Sequence, residues 1–140
     1  MIQNLGDKLE IPFVIDGIGY SSDKIVIKSI TRNFEILDGE NAGRTASGRM
    51  IRDLIGTFYN YSMTFKAKSI KPEEYETLFE ILSQPVDFHQ ISLPFGNKTI
   101  TQKMYVTSGS DDLIRFKKDG ENTFGEISVN FISEKPFRIP

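Results

Sequence analysis

Residues Phe58 to Ala67 read FYNYSMTFKA. Tyr59, Tyr61, Met63, Phe65 and Ala67 alternate with Asn60, Ser62, Thr64 and Lys66, the period of two that marks a strand with one face in a core and the other in water. An aromatic strand can also be a stacking surface for nucleic-acid bases. Regular alternation with short polar residues is the ordinary pattern of a core strand, so these aromatics are assigned to the interior.

The chain changes period immediately afterwards. In SIKPEEYETLFEILSQP, Ser69 to Pro85, Tyr75, Leu78, Phe79 and Leu82 recur at i, i+3, i+4 and i+7, which predicts an amphipathic helix over 72–83. Pro72 suits a first helical turn, and Glu73 and Glu74 favour the positive end of the helix dipole.

On the upstream side, KIVIKSITRNFEIL (Lys24 to Leu37) is rich in β-branched residues and predicts a strand bent near Ser29. IPFVIDGIGY (Ile11 to Tyr20) mixes apolar residues with Pro12, Gly17 and Gly19, which predicts a short or bulged edge strand. Downstream, VDFHQISL (Val86 to Leu93), KTITQKMYV (Lys98 to Val106), DLIRFKK (Asp112 to Lys118) and FGEISVNFI (Phe124 to Ile132) read as strands. Turns are predicted at Pro94 to Asn97, Ser108 to Asp112 and Lys118 to Asn122. The closing EKPFRIP carries two prolines and cannot extend a sheet interior. The expectation is one mainly β (α+β) domain over residues 1–140: a β-sandwich or partly closed barrel of about seven strands, one flanking short helix and a long inserted loop at 38–57.

That loop is the least regular part of the chain. DGENAGRTASGRMIRD, Asp38 to Asp53, has glycines at 39, 43 and 48 and only two large apolar residues, Met50 and Ile51. Structureless connections this long are uncommon in compact domains and are often functional. Asp38, Glu40 and Asp53 oppose Arg44, Arg49 and Arg52, three charges of each sign. A nucleic-acid loop is normally one-sided; a mixed one suits bidentate arginine contacts with a neighbouring protein. With Asn41, these six residues are the candidate interface, and a solvated mobile loop is the plain alternative.

Chemistry finds little to stand on. With no Cys and one His in 140 residues, disulfides, thiolate metal sites and cysteine nucleophiles are excluded. GENAGRT (Gly39 to Thr45) fails as a phosphate loop: three residues, not four, separate its glycines, Arg44 stands where a lysine is needed, and no helix follows. His89 has Asp87 on the same strand face, but no nucleophile can be placed beside them. Glu73/Glu74 and Asp111/Asp112 are explained by a helix start and a turn. No catalytic, metal or cofactor site is assigned, and the chain is read as non-enzymatic.

The formal charge of −2 gives no global attraction for nucleic acid, and no sequence-specific binding is expected. The start, MIQNLGDKLEIPFVIDG, has no signal-peptide pattern. No apolar run approaches the roughly 18 residues of a membrane span, so no membrane partner is expected.

The stretch ILDGENAGRTASGRMIRDLIGTFYNYSMTF (Ile36 to Phe65), together with GEISVNFISEKPFRIP (Gly125 to Pro140), resembles tail-associated structural proteins of phages and prophages of Gram-positive bacteria. The resemblance covers roughly Lys24 to Pro140. It implies a tail-tube-like fold, a long loop packed on the next subunit, and virion localisation after production in the host bacterial cytoplasm. The partners it implies are copies of the same chain, in a ring such as a hexamer or trimer, and other phage tail proteins of the tube, tip or baseplate. From the residues alone, a monomeric β-barrel binding module for a small apolar ligand is the alternative, motivated by the abundance of Phe and Ile.

Overall fold

The computed structural model describes residues 13–115 and 123–140. Its elements, in chain order, are β1 (Phe13–Ile15), β2 (Ile18–Tyr20), β3 (Ile25–Asp38), β4 (Gly43–Arg44), β5 (Met50–Ile51), β6 (Leu54–Ala67), α1 (Pro72–Leu82), β7 (His89–Phe95), β8 (Lys98–Tyr105), β9 (Gly109–Ser110), β10 (Leu113–Arg115), β11 (Thr123–Phe124) and β12 (Glu126–Ser133). The expected turn at Lys118 to Asn122 lies outside the described residues, as do Ile11 and Pro12 and the end of the strand expected to reach Lys118.

One antiparallel sheet dominates, in the order β2-β1-β7-β8-β12-β6-β3, with β9 added beside β12. In a flat sheet β1 and β6, with three strands between them, would lie about 19 Å apart, because neighbouring strands are spaced by about 4.8 Å. Instead the rings of Phe13 on β1 and Phe65 on β6 have centroids 6.1 Å apart, and Phe13 lies 5.8 Å from Phe131 on β12. The sheet therefore folds over on itself. Its corner is β12, which pairs with β6 through Glu126–Phe131 and with β8 through Ile132–Ser133.

The result is sandwich-like and mainly β. The path ends at β2 and β3 without joining them, so it is not a closed barrel. Phe13, Tyr61, Phe65 and Phe131 fill the space between the two halves. The alternation in Phe58 to Ala67 is realised: Tyr61, Met63 and Phe65 are buried, while Ser62 and Lys66 face water. The helix lies where its stripe predicts, with Tyr75, Leu78 and Leu82 buried and Phe79 half-buried. Glu74 in its first turn pairs with Lys24 just before β3.

Several expectations change. The turn expected at Ser108 to Asp112 contains β9, with Gly109 and Ser110 opposite Val129 and Ser128, and the strand expected over Phe124 to Ile132 is interrupted at Gly125. The single edge strand expected over Ile11 to Tyr20 is a tight hairpin, because Asp16 (φ 50°) and Gly17 (φ 87°) both adopt the left-handed backbone of a two-residue turn whose twist suits paired strands. The strand expected from Val86 begins three residues later, at His89. The long loop is shorter and more regular than 38–57: β3 runs to Asp38 and β6 starts at Leu54, so only residues 39–53 connect them. Even these include a small ladder, Gly43 opposite Ile51 and Arg44 opposite Met50.

Candidate assembly surface

Strands β3 and β6 are each 14 residues long and pair from Ile25–Ala67 to Asp38–Leu54. The body of the sheet covers only part of that length. Pairing of β6 with β12 stops at Tyr61–Phe131, and beyond that point β3 and β6 continue as an arm.

The neck of the arm is tied by three of the candidate residues. Arg52 donates from Nε to both oxygens of Asp38 at 3.0 Å and places Nη2 2.9 Å from Oδ2. The Asp53 amide donates to Asp38 Oδ1 at 3.0 Å. Hydrogen bonds from the Arg52 guanidinium, aided by that amide, outweigh desolvation and hold the Asp38 carboxyl below the usual carboxylate range. The same pairing raises the Arg52 guanidinium further. Asp53 in turn accepts from the Asn41 amide at 3.2 Å, and its carbonyl accepts from the Gly39 amide at 2.7 Å. A Cβ at residue 39 would fall 2.7 Å from Asp53 Oδ2, so any larger residue there would displace the Asp53 carboxylate.

The tip is also folded. Thr45 and Gly48 close a turn (2.8 Å), Thr45 Oγ1 accepts from the Arg49 amide at 3.2 Å, and Arg44 Nη1 donates to the Gly48 carbonyl at 2.9 Å. Of the seven candidates, Asp38, Arg52, Asp53, the Arg44 side chain and the backbones of Asn41 and Arg49 are thus engaged within the loop. Glu40, Arg44 and Arg49 remain exposed.

Sequence reasoning missed the apolar character of this arm. Phe34 is 69% exposed, and Ile36, Leu37, Met50, Ile51, Leu54 and Ile55 are all at least 40% exposed. Phe34, Glu35 and Ile36 continue the alternation of β3, which reads as core from sequence; nothing in a strand pattern marks where the core beneath it ends. The alternation of the strands divides these side chains between the two faces of the arm, with Phe34 and Ile36 on one and Leu37 on the other; large exposed apolar areas are typical of interaction sites.

His89 is buried, and its partner is Asp16, not Asp87. Its Nδ1 lies 2.6 Å from Asp16 Oδ2, while Asp16 Oδ1 accepts from the Gln90 amide at 2.9 Å. Burial raises the Asp16 pKa, but these hydrogen bonds outweigh it and leave the carboxyl below its usual value. The pair clips the β1–β2 turn to β7. Asp111 accepts from the Tyr75 hydroxyl at 2.7 Å, an anchor for the helix; burial, then this bond, push the Tyr75 hydroxyl up. Among the described residues no group of three or more His, Asp or Glu is placed to hold a metal ion. No helix among them is long and apolar enough to cross a membrane. An open cleft of about 330 Å³ lies between the end of α1 and β9, lined by Leu82, Val86, Val106, Ile127 and Val129 with a rim of serines.

No protein-family profile and no curated protein matches the chain. Among solved structures, it is similar to a chain of a structure described as "Virion of native gene transfer agent (GTA) particle". The TM-score is 0.52 at 11% identity, and the match covers 99% of this chain and 99% of the other. The fold is therefore one found in a virion component, matched over nearly the full length of both chains.

Proposed function

We propose that the chain is a non-catalytic structural subunit of a phage or phage-like particle, placed in its tail, and that it joins neighbouring subunits through the β3–β6 arm. The observation that carries this reading is the arm itself: an ordered hairpin that holds seven large apolar side chains in water. Burying such a surface against a protein neighbour is favourable by roughly 25 cal/mol per Å². Exposed Arg44, Arg49 and Glu40 supply polar contacts at the rim of that interface.

The likeness to a virion component supports the particle assignment, and the resemblance of Ile36–Phe65 and Gly125–Pro140 supports the tail. Among the described residues β3 and β2 end the sheet without a further strand, which suits closure of copies edge to edge into a ring, a hexamer or trimer. The same arm also fits other tail proteins as partners. The small-ligand alternative keeps only the open cleft beside α1, because the space inside the sheet is filled by Phe13, Phe65 and Phe131.

Light scattering after size-exclusion chromatography, across a concentration series, tests the reading. Three chains are compared: the intact one, Arg44→Ala/Arg49→Ala, and Phe34→Thr/Ile36→Thr/Ile55→Thr. Association that rises with concentration, weakens in the arginine variant and vanishes in the apolar variant is the expected result. Association identical in all three would remove the arm from the interface.

A further inference from the structure

The chain that leaves β12 turns back and seats itself against the root of the arm. The Ser133 amide donates to Asn60 Oδ1 at 2.9 Å, and the Ser133 hydroxyl donates to the Lys135 carbonyl at 2.9 Å, which shapes the reversal. Beyond it, the Phe137 amide donates to the Thr57 carbonyl at 2.9 Å, and the Thr57 amide donates to the Arg138 carbonyl at 2.8 Å. The Phe137 ring lies 5.9 Å from that of Tyr59, and Tyr59 lies 4.9 Å from Phe95 on the body.

Gly56 makes this seat possible. A Cβ there would fall 2.5 Å from the Arg138 carbonyl oxygen and 2.6 Å from Pro136 Cβ, both parts of the returning segment. Neither is the flexible end of a long side chain, so any larger residue must push the segment away. Residue 57 is also where support is needed. With β12 ended, β6 has β3 as its one full-length partner, and a two-stranded ribbon twists and bends readily at its root.

We propose that residues 134–140 are a brace that fixes the pose of the arm on the body, with Gly56 as its seat and Thr57 as its anchor. Its value for assembly rests on the reading above, since an arm held in one pose loses less freedom on docking. The brace itself does not depend on that reading and is testable in single chains.

The chain has no Cys, so spin labels can be placed cleanly at Ser47→Cys on the arm and Glu76→Cys on α1. Pulsed electron resonance, with labelled chain diluted in unlabelled chain, reads the distance between them, and hydrogen exchange reads the Thr57 amide. The wild-type background is compared with Gly56→Ala and with Phe137→Pro, which removes the amide donated to Thr57 and leaves the core untouched. In both variants the Thr57 amide should exchange about tenfold faster, the scale of one lost hydrogen bond. The single narrow distance of the wild type should broaden with it. A distance that stays narrow after Thr57 is freed, a Thr57 amide indifferent to both changes, or a wild-type distance already broad would each overturn the brace. If Gly56→Ala fails to fold, Phe137→Pro decides alone.

Discussion

Phe65 stands where the two halves of the folded sheet meet, fully buried and in contact with Phe13 from a strand four places away in the sheet order. Phe65→Ala should cost about 3–5 kcal/mol, the range for a large aromatic removed from a core, and urea denaturation will read it. Asp38 gives a prediction in pH. Its folded pKa is depressed, so the tie it makes is present above its ordinary value of 3.8 and is lost as the pH falls through the lower folded value. Protection of the Asp53 amide, its hydrogen-exchange rate relative to an unstructured peptide at the same pH, should therefore be high at neutral pH and fall below that value; Asp38→Ala should be unprotected throughout, and an amide equally protected at every pH in both chains would exclude the tie. The Asp38–Arg52 pair was visible in the sequence only as charges on one loop. That they bind each other follows from the ladder bringing the loop's two ends together, a fact no spacing of 14 residues encodes. His89 teaches the same lesson: its partner, Asp16, is distant in sequence, whereas the acid expected to share its strand face was Asp87, two residues away.

At the scale of elements, the alternation of Phe58 to Ala67 and the helical stripe of Tyr75, Leu78 and Leu82 were legible because burial on one face writes a period into the chain. The Asp16–Gly17 hairpin was legible as well, since Asp-Gly between apolar residues is a strong signal for a two-residue turn, although the glycines at 17 and 19 also fit the bulged strand expected there. The arm was half-legible. Its glycines and mixed charges were read as a loop, whereas backbone pairing carries β3 to Asp38 and β6 back to Leu54 without needing a core beneath. Because Phe34, Ile36 and Ile55 touch water and not the interior, their replacement by Thr should leave the urea midpoint within about 1 kcal/mol of the parent. Association should be lost from the same variant. A variant that unfolds would place those side chains in the core of the monomer and contradict the exposed arm.

The whole molecule has a compact half, where a sheet folded at β12 encloses aromatics beneath one helix, and an extended half, where two strands run out beyond it. The compact half holds the buried core; the extended half carries exposed apolar side chains, which the proposed assembly would bury against a neighbour. The central claim is that this neighbour belongs to a phage-like particle. Particles purified from cells that carry the gene, probed by gold-labelled antibody against this chain under the electron microscope, test it most directly. Gold confined to the tail, with the chain present in fixed proportion to the other particle proteins, is the predicted result. Particles that lack the chain, in cells where it is abundant, would contradict the account.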